Sequence, residues 1–158
     1  MAHSREWSYQ GAHGALTART WSGPEAATHV VVIAHGYGEH IGRYEHVADA
    51  LVGNGAVVYA VDPLVWHGPF KRPTLEALER GLADIAAGPG LGDLPLMWIH
   101  GEQDQLVPIG GSRAGIEHLR GRFFVERTYP EARHELFNEL NADEVLAEVT
   151  AFIRAQLP

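Results

Sequence analysis

The sequence predicts an α/β fold: three α/β/α layers around a mostly parallel sheet, entered through an antiparallel hairpin. Three observations carry this reading. First, apolar runs of strand length recur at 30–34, 56–61 and 94–100. They do not alternate with polar residues, as strands of a parallel sheet covered on both faces do not. Second, segments with helical apolar spacing separate them, which is the βα alternation of a parallel sheet. Third, two runs end in polar, Gly-containing turns, His35-Gly36-Tyr37-Gly38-Glu39-His40 and Gly101-Glu102-Gln103-Asp104. Turns of this kind sit at the carboxyl edge of open α/β sheets, where ligands bind.

Taken in order, Glu6 to Gln10 and Leu16 to Trp21 are short strands, and Gly11-Ala12-His13-Gly14 between them reads as a hairpin turn. His29 to Ala34 is the strand that feeds the first polar turn. Arg43 to Val52 follows as a helix, with Tyr44, Val47, Ala48 and Leu51 on one face. Gly53-Asn54-Gly55 ends it, and Ala56 to Val61 is the next strand, completing a βαβ unit. Pro63 to Pro73 is an irregular apolar loop. Thr74 reads as the N-cap of a helix reaching about Ala87, whose core face starts at Ala77 or Leu78. Leu94 to His100 is a third buried strand. Ser112 to Leu119 is a helix capped by Ser112. Phe123 to Tyr129 is the last strand, Pro130 to Glu139 a loop carrying His134, and Ala142 to Leu157 an amphipathic helix with Val145, Leu146, Val149, Phe152 and Ile153 inward.

Bulk properties narrow the function. A chain of 158 residues with 46% hydrophobic content forms one ordered domain with a sizeable core. Twelve basic against 20 acidic residues give a net charge of −8, a poor match to nucleic acid. There are no cysteines, so disulfides, thiolate metal sites and a Cys nucleophile are excluded. The ten histidines lack ligand spacing, so no metal is expected. Gly36 and Gly38 lack the third glycine and distal acid of a dinucleotide fingerprint, and no cofactor is expected. No run is long enough to span a bilayer and no apolar leader is seen, which predicts a cytoplasmic protein.

At three places the chain resembles α/β-hydrolases of the monoacylglycerol lipase and lysophospholipase type, a serine aminopeptidase S33-like family. His35-Gly36-Tyr37-Gly38-Glu39-His40 with Arg43-Tyr44 is similar to that family's first βα unit. His100-Gly101-Glu102-Gln103-Asp104-Gln105-Leu106-Val107-Pro108 is similar to its acid loop. Tyr129-Pro130-Glu131-Ala132-Arg133-His134-Glu135-Leu136-Phe137-Asn138-Glu139 is similar to its histidine loop. The resemblance implies a serine hydrolase acting on carboxylic esters, with a monoacylglycerol-like lipid or another small acyl ester as substrate. Asp104 would be the acid, His134 the general base, and the Tyr37 N–H an oxyanion donor. His35 and Gly36, then Leu64, Trp66 and Phe70, would line the substrate pocket. Elementary chemistry agrees with the roles. A His base needs a carboxylate to fix its tautomer and stabilise its cation. An N–H just beyond a rigid strand needs little reorganisation when an oxyanion forms.

The nucleophile of that family, a Ser in Gly-x-Ser-x-Gly, is not in the sequence. The nearest match, Gly110-Gly111-Ser112-Arg113-Ala114, follows the acid loop, where a helix start is expected. Residues 62–73 read as a junction at which the elbow, two strands and most of a lid, on the order of a hundred residues, are missing from a domain of this architecture. If the chain is contiguous, the parallel strands close up in a flavodoxin-like 2-1-3-4 order, with the Val30 strand beside the Leu96 strand. The alternative to an esterase is a nucleophile-less binding module of the same fold. Exchange between two chains in place of the missing pair of central strands would make a homodimer. Glu135 and Glu139 read as solvated or helix-capping side chains.

Overall fold

A computed structural model describes residues 2–11, 14–36, 38–62 and 71–158. The chain forms two compact units, Met1–Gly68 and Pro69–Gln156. Both mix strands and helices, and the α/β class is as expected.

In the first unit, β1 (His3–Gly11) and β2 (Gly14–Ser22) form the hairpin, in register from Gly11 opposite Gly14 to His3 opposite Ser22. β2 then runs antiparallel to β4 (Ala56–Asp62), and β4 runs parallel to β3 (His29–Ile33), giving the order β1-β2-β4-β3. A 3-10 turn at Ile41–Tyr44 leads into α1 (Glu45–Gly53), which packs on β4 and β2. Val47, Ala48 and Leu51 face inward at i, i+1 and i+4, as their spacing requires. They join Ala18, Trp21, Ile41, Ala56, Val58 and Ala60 in the buried set of this unit. The Trp21 indole N–H donates to Glu45 at 2.6 Å, so the start of α1 is tied to β2. Gly55, at φ +90°, turns the chain from α1 into β4.

β3 corrects one expectation. Its continuous apolar run reads as a strand covered on both faces. Instead, Val30 and Val32 are 63% and 68% exposed, while Val31 and Ile33, pointing the other way, are half-buried. β3 is the last strand of its sheet, and only one of its faces is partly covered.

In the second unit, β5 (Leu96–Gly101) and β6 (Phe124–Tyr129) pair in parallel, Leu96 opposite Phe124 and Gly101 opposite Tyr129. Helices α2 (Arg72–Ala87), α3 (Ile109–Glu117) and α4 (Ala142–Arg154) complete it. Tyr129, Ala132, Leu136 and Val145 form its buried cluster, with Ile99, Phe137 and Val149 against them. Two members of that cluster, Ala132 and Leu136, lie two residues either side of His134.

Three local expectations are corrected here. Lys71, not Thr74, occupies the N-cap of α2, because Pro73 takes the first turn, where its fixed φ and missing N–H fit. The apolar face of α2 does not reach a core: Leu75, Leu78, Leu82 and Ile85 are each between 42% and 58% exposed. Pro108, not Ser112, precedes α3, and the N–H groups of Gly111 and Ser112 both bond back to the Pro108 carbonyl. The neighbours β4–β3 and β5–β6 of the 2-1-3-4 order are both present and parallel. Their hydrogen bonds make two sheets rather than one among the described residues. Short hairpins dictate register, whereas the long connection at 63–95 imposes none between the two strand pairs.

Candidate active site

The second unit brings Asp104 and His134 together. β5 and β6 are parallel and end level with each other, at Gly101 and Tyr129, so the loops that follow leave from the same edge. Backbone bonds lace these loops together. The N–H of Glu102 donates to the Tyr129 carbonyl at 3.0 Å, and that of Gln103 to the Ala132 carbonyl at 2.9 Å. Gly101 is required where they meet. A Cβ there would lie 2.0 Å from the Arg133 carbonyl oxygen and 2.5 Å from that of Ala132, and neither backbone oxygen can move aside.

Across this seam His134 Nδ1 bonds Asp104 Oδ2 at 2.9 Å. An ionised carboxylate only accepts, so the proton sits on Nδ1. The other ring nitrogen, Nε2, has no partner among the described residues and is left for proton transfer. The Asp104 side chain is 4% exposed and that of His134 is 43% exposed. The acid is therefore enclosed and the imidazole reachable. The second carboxylate oxygen, Oδ1, accepts the N–H groups of Leu106 at 2.8 Å and Val107 at 2.9 Å. Burial pushes the Asp104 carboxyl up. The Val107 amide, the His134 ring and the Leu106 amide together outweigh that, and the group lies below its ordinary value.

Neighbouring groups shape the surroundings. His100 is buried, and its Nδ1 bonds the Gly101 carbonyl at 2.9 Å. Its Nε2 lies 3.9 Å from Asp104 Oδ2, beyond hydrogen-bond range. His134 faces a cleft of about 960 Å³, lined also by Tyr129, Arg133, Glu135, Glu139 and Glu148. It borders a smaller one of about 330 Å³ with Gln103, Asp104, Gln105 and Leu106. The Tyr129 hydroxyl is pushed up to about 12 by burial and by the Glu148 carboxylate, so it stays protonated near neutrality.

In the first unit, the turn after β3 is organised by Glu39. Its carboxylate accepts the Tyr44 hydroxyl and, at 3.4 Å, the Gly36 N–H. His35 Nδ1 bonds the Gly36 carbonyl at 2.9 Å, which fits a ring that orients the turn. Gly38 has φ +77°, a conformation that favours glycine. Tyr37 lies outside the described residues, as do Leu64, Trp66 and Phe70. Ser112 is the fourth residue of α3, and its Oγ accepts the Trp98 indole N–H at 3.2 Å. It sits inside a helix, not at an elbow.

Residues 25–63 and 59–141 match the family model for serine aminopeptidase, S33. The chain belongs to this family. As an S33 family member it is 32% identical over 112 residues to a monoacylglycerol lipase of Mycolicibacterium smegmatis. That match covers 70% of this chain and 40% of the relative, so the chain spans about two-fifths of the relative's length. Its fold is shared with solved α/β enzymes. A cold-adapted esterase from an Arctic intertidal metagenomic library superposes with TM-score 0.71 at 16% identity, over 99% of this chain and 95% of that one. A thermostable carboxyl esterase from Bacillus coagulans gives 0.72 at 16%, over 98% and 99%. An open-form lipase gives 0.72 at 17%, over 97% and 99%.

Residues to which the sequence reading gives no part in the site, Glu139 among them as a solvated or helix-capping side chain, shape this candidate site. Gly101 permits the close approach of the two loops, Ala132 and Leu136 pin the His134 loop to the core, and Glu139 bonds its backbone on either side of the ring. For Glu139 a usable signal existed. A carboxylate five residues beyond a loop histidine is a natural acceptor for loop amides that no strand or helix satisfies.

Proposed function

We propose that the chain carries the proton relay of a carboxylic ester hydrolase of the monoacylglycerol lipase or lysophospholipase type. The observation that carries this is the 2.9 Å bond from a half-exposed His134 to a buried Asp104 that is itself held by two amides. In this reading a serine attacks the ester carbonyl. His134 Nε2 takes its proton and passes it to the leaving alcohol; water then repeats the sequence in reverse roles to free the acid. The lowered pKa of Asp104 fits its part, since it stays a carboxylate when the imidazolium forms. By resemblance, the Tyr37 N–H is an oxyanion donor, His35 and Gly36 shape its turn, and Leu64, Trp66 and Phe70 receive the acyl chain.

The serine is proposed to belong to a segment joined between Asp62 and Pro63. The family match is itself in two pieces that meet at 59–63, which supports that placement. A second reading, a binding module without a nucleophile, is favoured by one observation: Ser112 of the nearest Gly-x-Ser pattern is engaged by Trp98 inside α3. Intact mass, with the coding sequence read across the Asp62 and Pro63 codons, followed by a fluorophosphonate probe separates the two. The esterase reading expects a labelled serine and hydrolysis of p-nitrophenyl esters that His134→Ala abolishes. A verified 158-residue chain that takes no label selects the binding module. Unchanged turnover in His134→Ala would overturn the relay.

A further inference from the structure

We propose that Glu139 is the positioning residue of the relay, a clamp whose two carboxylate oxygens hold the backbone on both sides of His134 and so set its ring on Asp104. This rests on the reading of Asp104 and His134 as a relay and adds a third side chain to it.

The geometry is specific. Glu139 Oε2 accepts the N–H of Arg133 at 2.7 Å, and Oε1 accepts the N–H of Glu135 at 2.9 Å. These are the two amides that bracket His134. Each goes to a different oxygen, so the 132–133 peptide on one side of His134 and the 134–135 peptide on the other are both held. Bonds to an ionised acceptor are stronger than neutral ones. The clamp is itself anchored. Glu139 follows the 3-10 turn Leu136–Asn138, its carbonyl accepts the Ala142 N–H at 3.0 Å, and buried Leu136 ties the turn to the core. The other ends of the loop are held by Ala132 and by the bond from Gln103 to its carbonyl. Between these two anchors Glu139 bonds the backbone on both sides of the ring, while the His134 side chain is 43% exposed. A side chain placed in this way does not touch substrate; it acts through the histidine.

Glu139→Gln is the informative variant. It keeps the volume and one acceptor oxygen but turns an NH2 toward one of the two amides, so one N–H loses its partner. The readout is the ring of His134 by NMR: its tautomer and the exchange rate of its Nδ1–H. Asp104→Asn, which should remove the low-field Nδ1–H signal, assigns it. If the unaltered chain shows no signal that Asp104→Asn removes, the relay reading fails. With the signal present, the clamp expects Glu139→Gln to speed Nδ1–H exchange about tenfold, the factor carried by one ordinary hydrogen bond, with chain fold unchanged by circular dichroism. Glu139→Ala should speed it further. Glu131→Gln, which alters a cleft carboxylate of the same loop whose side chain takes neither of the two amides, should leave it alone. Unaltered exchange and tautomer in Glu139→Gln overturn the clamp. So does an equal change in Glu131→Gln, which would make the effect one of cleft charge.

Discussion

The two polar turns of this chain are built on different terms. The Asp104 and His134 loops leave adjacent parallel strands, are laced by backbone bonds, close on a glycine, and rest on a core of their own. The turn after β3 follows a strand whose Val30 and Val32 side chains are bare, and Glu39 bridges Gly36 and Tyr44 while His35 bonds the Gly36 carbonyl. In each case a carboxylate accepts backbone amide donors of the loop, one at Glu39 and two each at Asp104 and Glu139. The lesson concerns which parts of a hydrolase scaffold are self-contained. The Asp104 and His134 loops are held by the two strands they leave, by a small core that includes α4, and by Glu139, all within the second unit. A buried central strand needs neighbours on both faces, and its apolar run stays visible in the sequence whether or not they are present.

The largest effect should come from Gly101→Ala. Its Cβ would stand 2.0 Å from the Arg133 oxygen, so the His134 loop must separate from β5. We expect a loss of about 3 kcal/mol, seen as faster amide exchange throughout β5 and β6. A loss below ~1 kcal/mol with the Nδ1–H signal of His134 retained would show that the seam is looser than this contact requires.

Next is Val58→Ala. Val58 is fully buried in β4, the strand between β2 and β3. Removing two methyl groups from such a site costs about 1–3 kcal/mol, read by urea denaturation. The loss should appear in exchange of β2 and β4 amides. Equal protection loss in β5 and β6 would mean that the two units unfold as one, and the contrast between self-contained regions would fail.

How much of this was legible in the sequence follows the same division. The strands, the parallel neighbours β3–β4 and β5–β6, and α1 with its Val47, Ala48 and Leu51 face follow from local period, and the approach of Asp104 to His134 from the family resemblance and from loops leaving one sheet edge; the antiparallel pairing of β2 with β4 has no such signal. Helix caps were misread where Pro73 and Pro108 outcompeted nearby hydroxyl residues. The exposure of Val30, Val32 and the α2 leucines was not legible, because apolar spacing records what a segment is made to bury, not what is there to bury it. Glu139 is half legible: a carboxylate beyond a loop histidine marks an acceptor for loop amides, but which amides it takes has no sequence signature.

A smaller effect concerns pH. The Asp104 carboxyl lies below its ordinary value in the folded chain. A carboxyl lowered by folding binds fewer protons folded than unfolded. Its contribution is whole above the unfolded value, about 3.9, and is lost as pH falls through the lower folded one. Stability of the second unit should therefore decline below about pH 4, and Asp104→Asn should flatten that decline. An equal acid slope in Asp104→Asn would assign it to other carboxylates.

The smallest effect should be that of Val30→Thr with Val32→Thr. Threonine keeps the β-branched shape that a strand favours, and its hydroxyl meets water where the valine methyl groups are already 63% and 68% exposed. The double variant should stay within about 0.5 kcal/mol of the parent. Val58→Thr, which buries the same hydroxyl without a partner, should cost about 1–3 kcal/mol. The pair of measurements tests the bare face directly, because chemistry and strand type are matched and only cover differs. If the Val30 and Val32 changes prove as damaging as Val58→Thr, and the damage grows with protein concentration, then a second copy covers β3 in solution and the proposed homodimer forms through that face. If they are silent at every concentration, β3 carries an apolar surface that this chain leaves open.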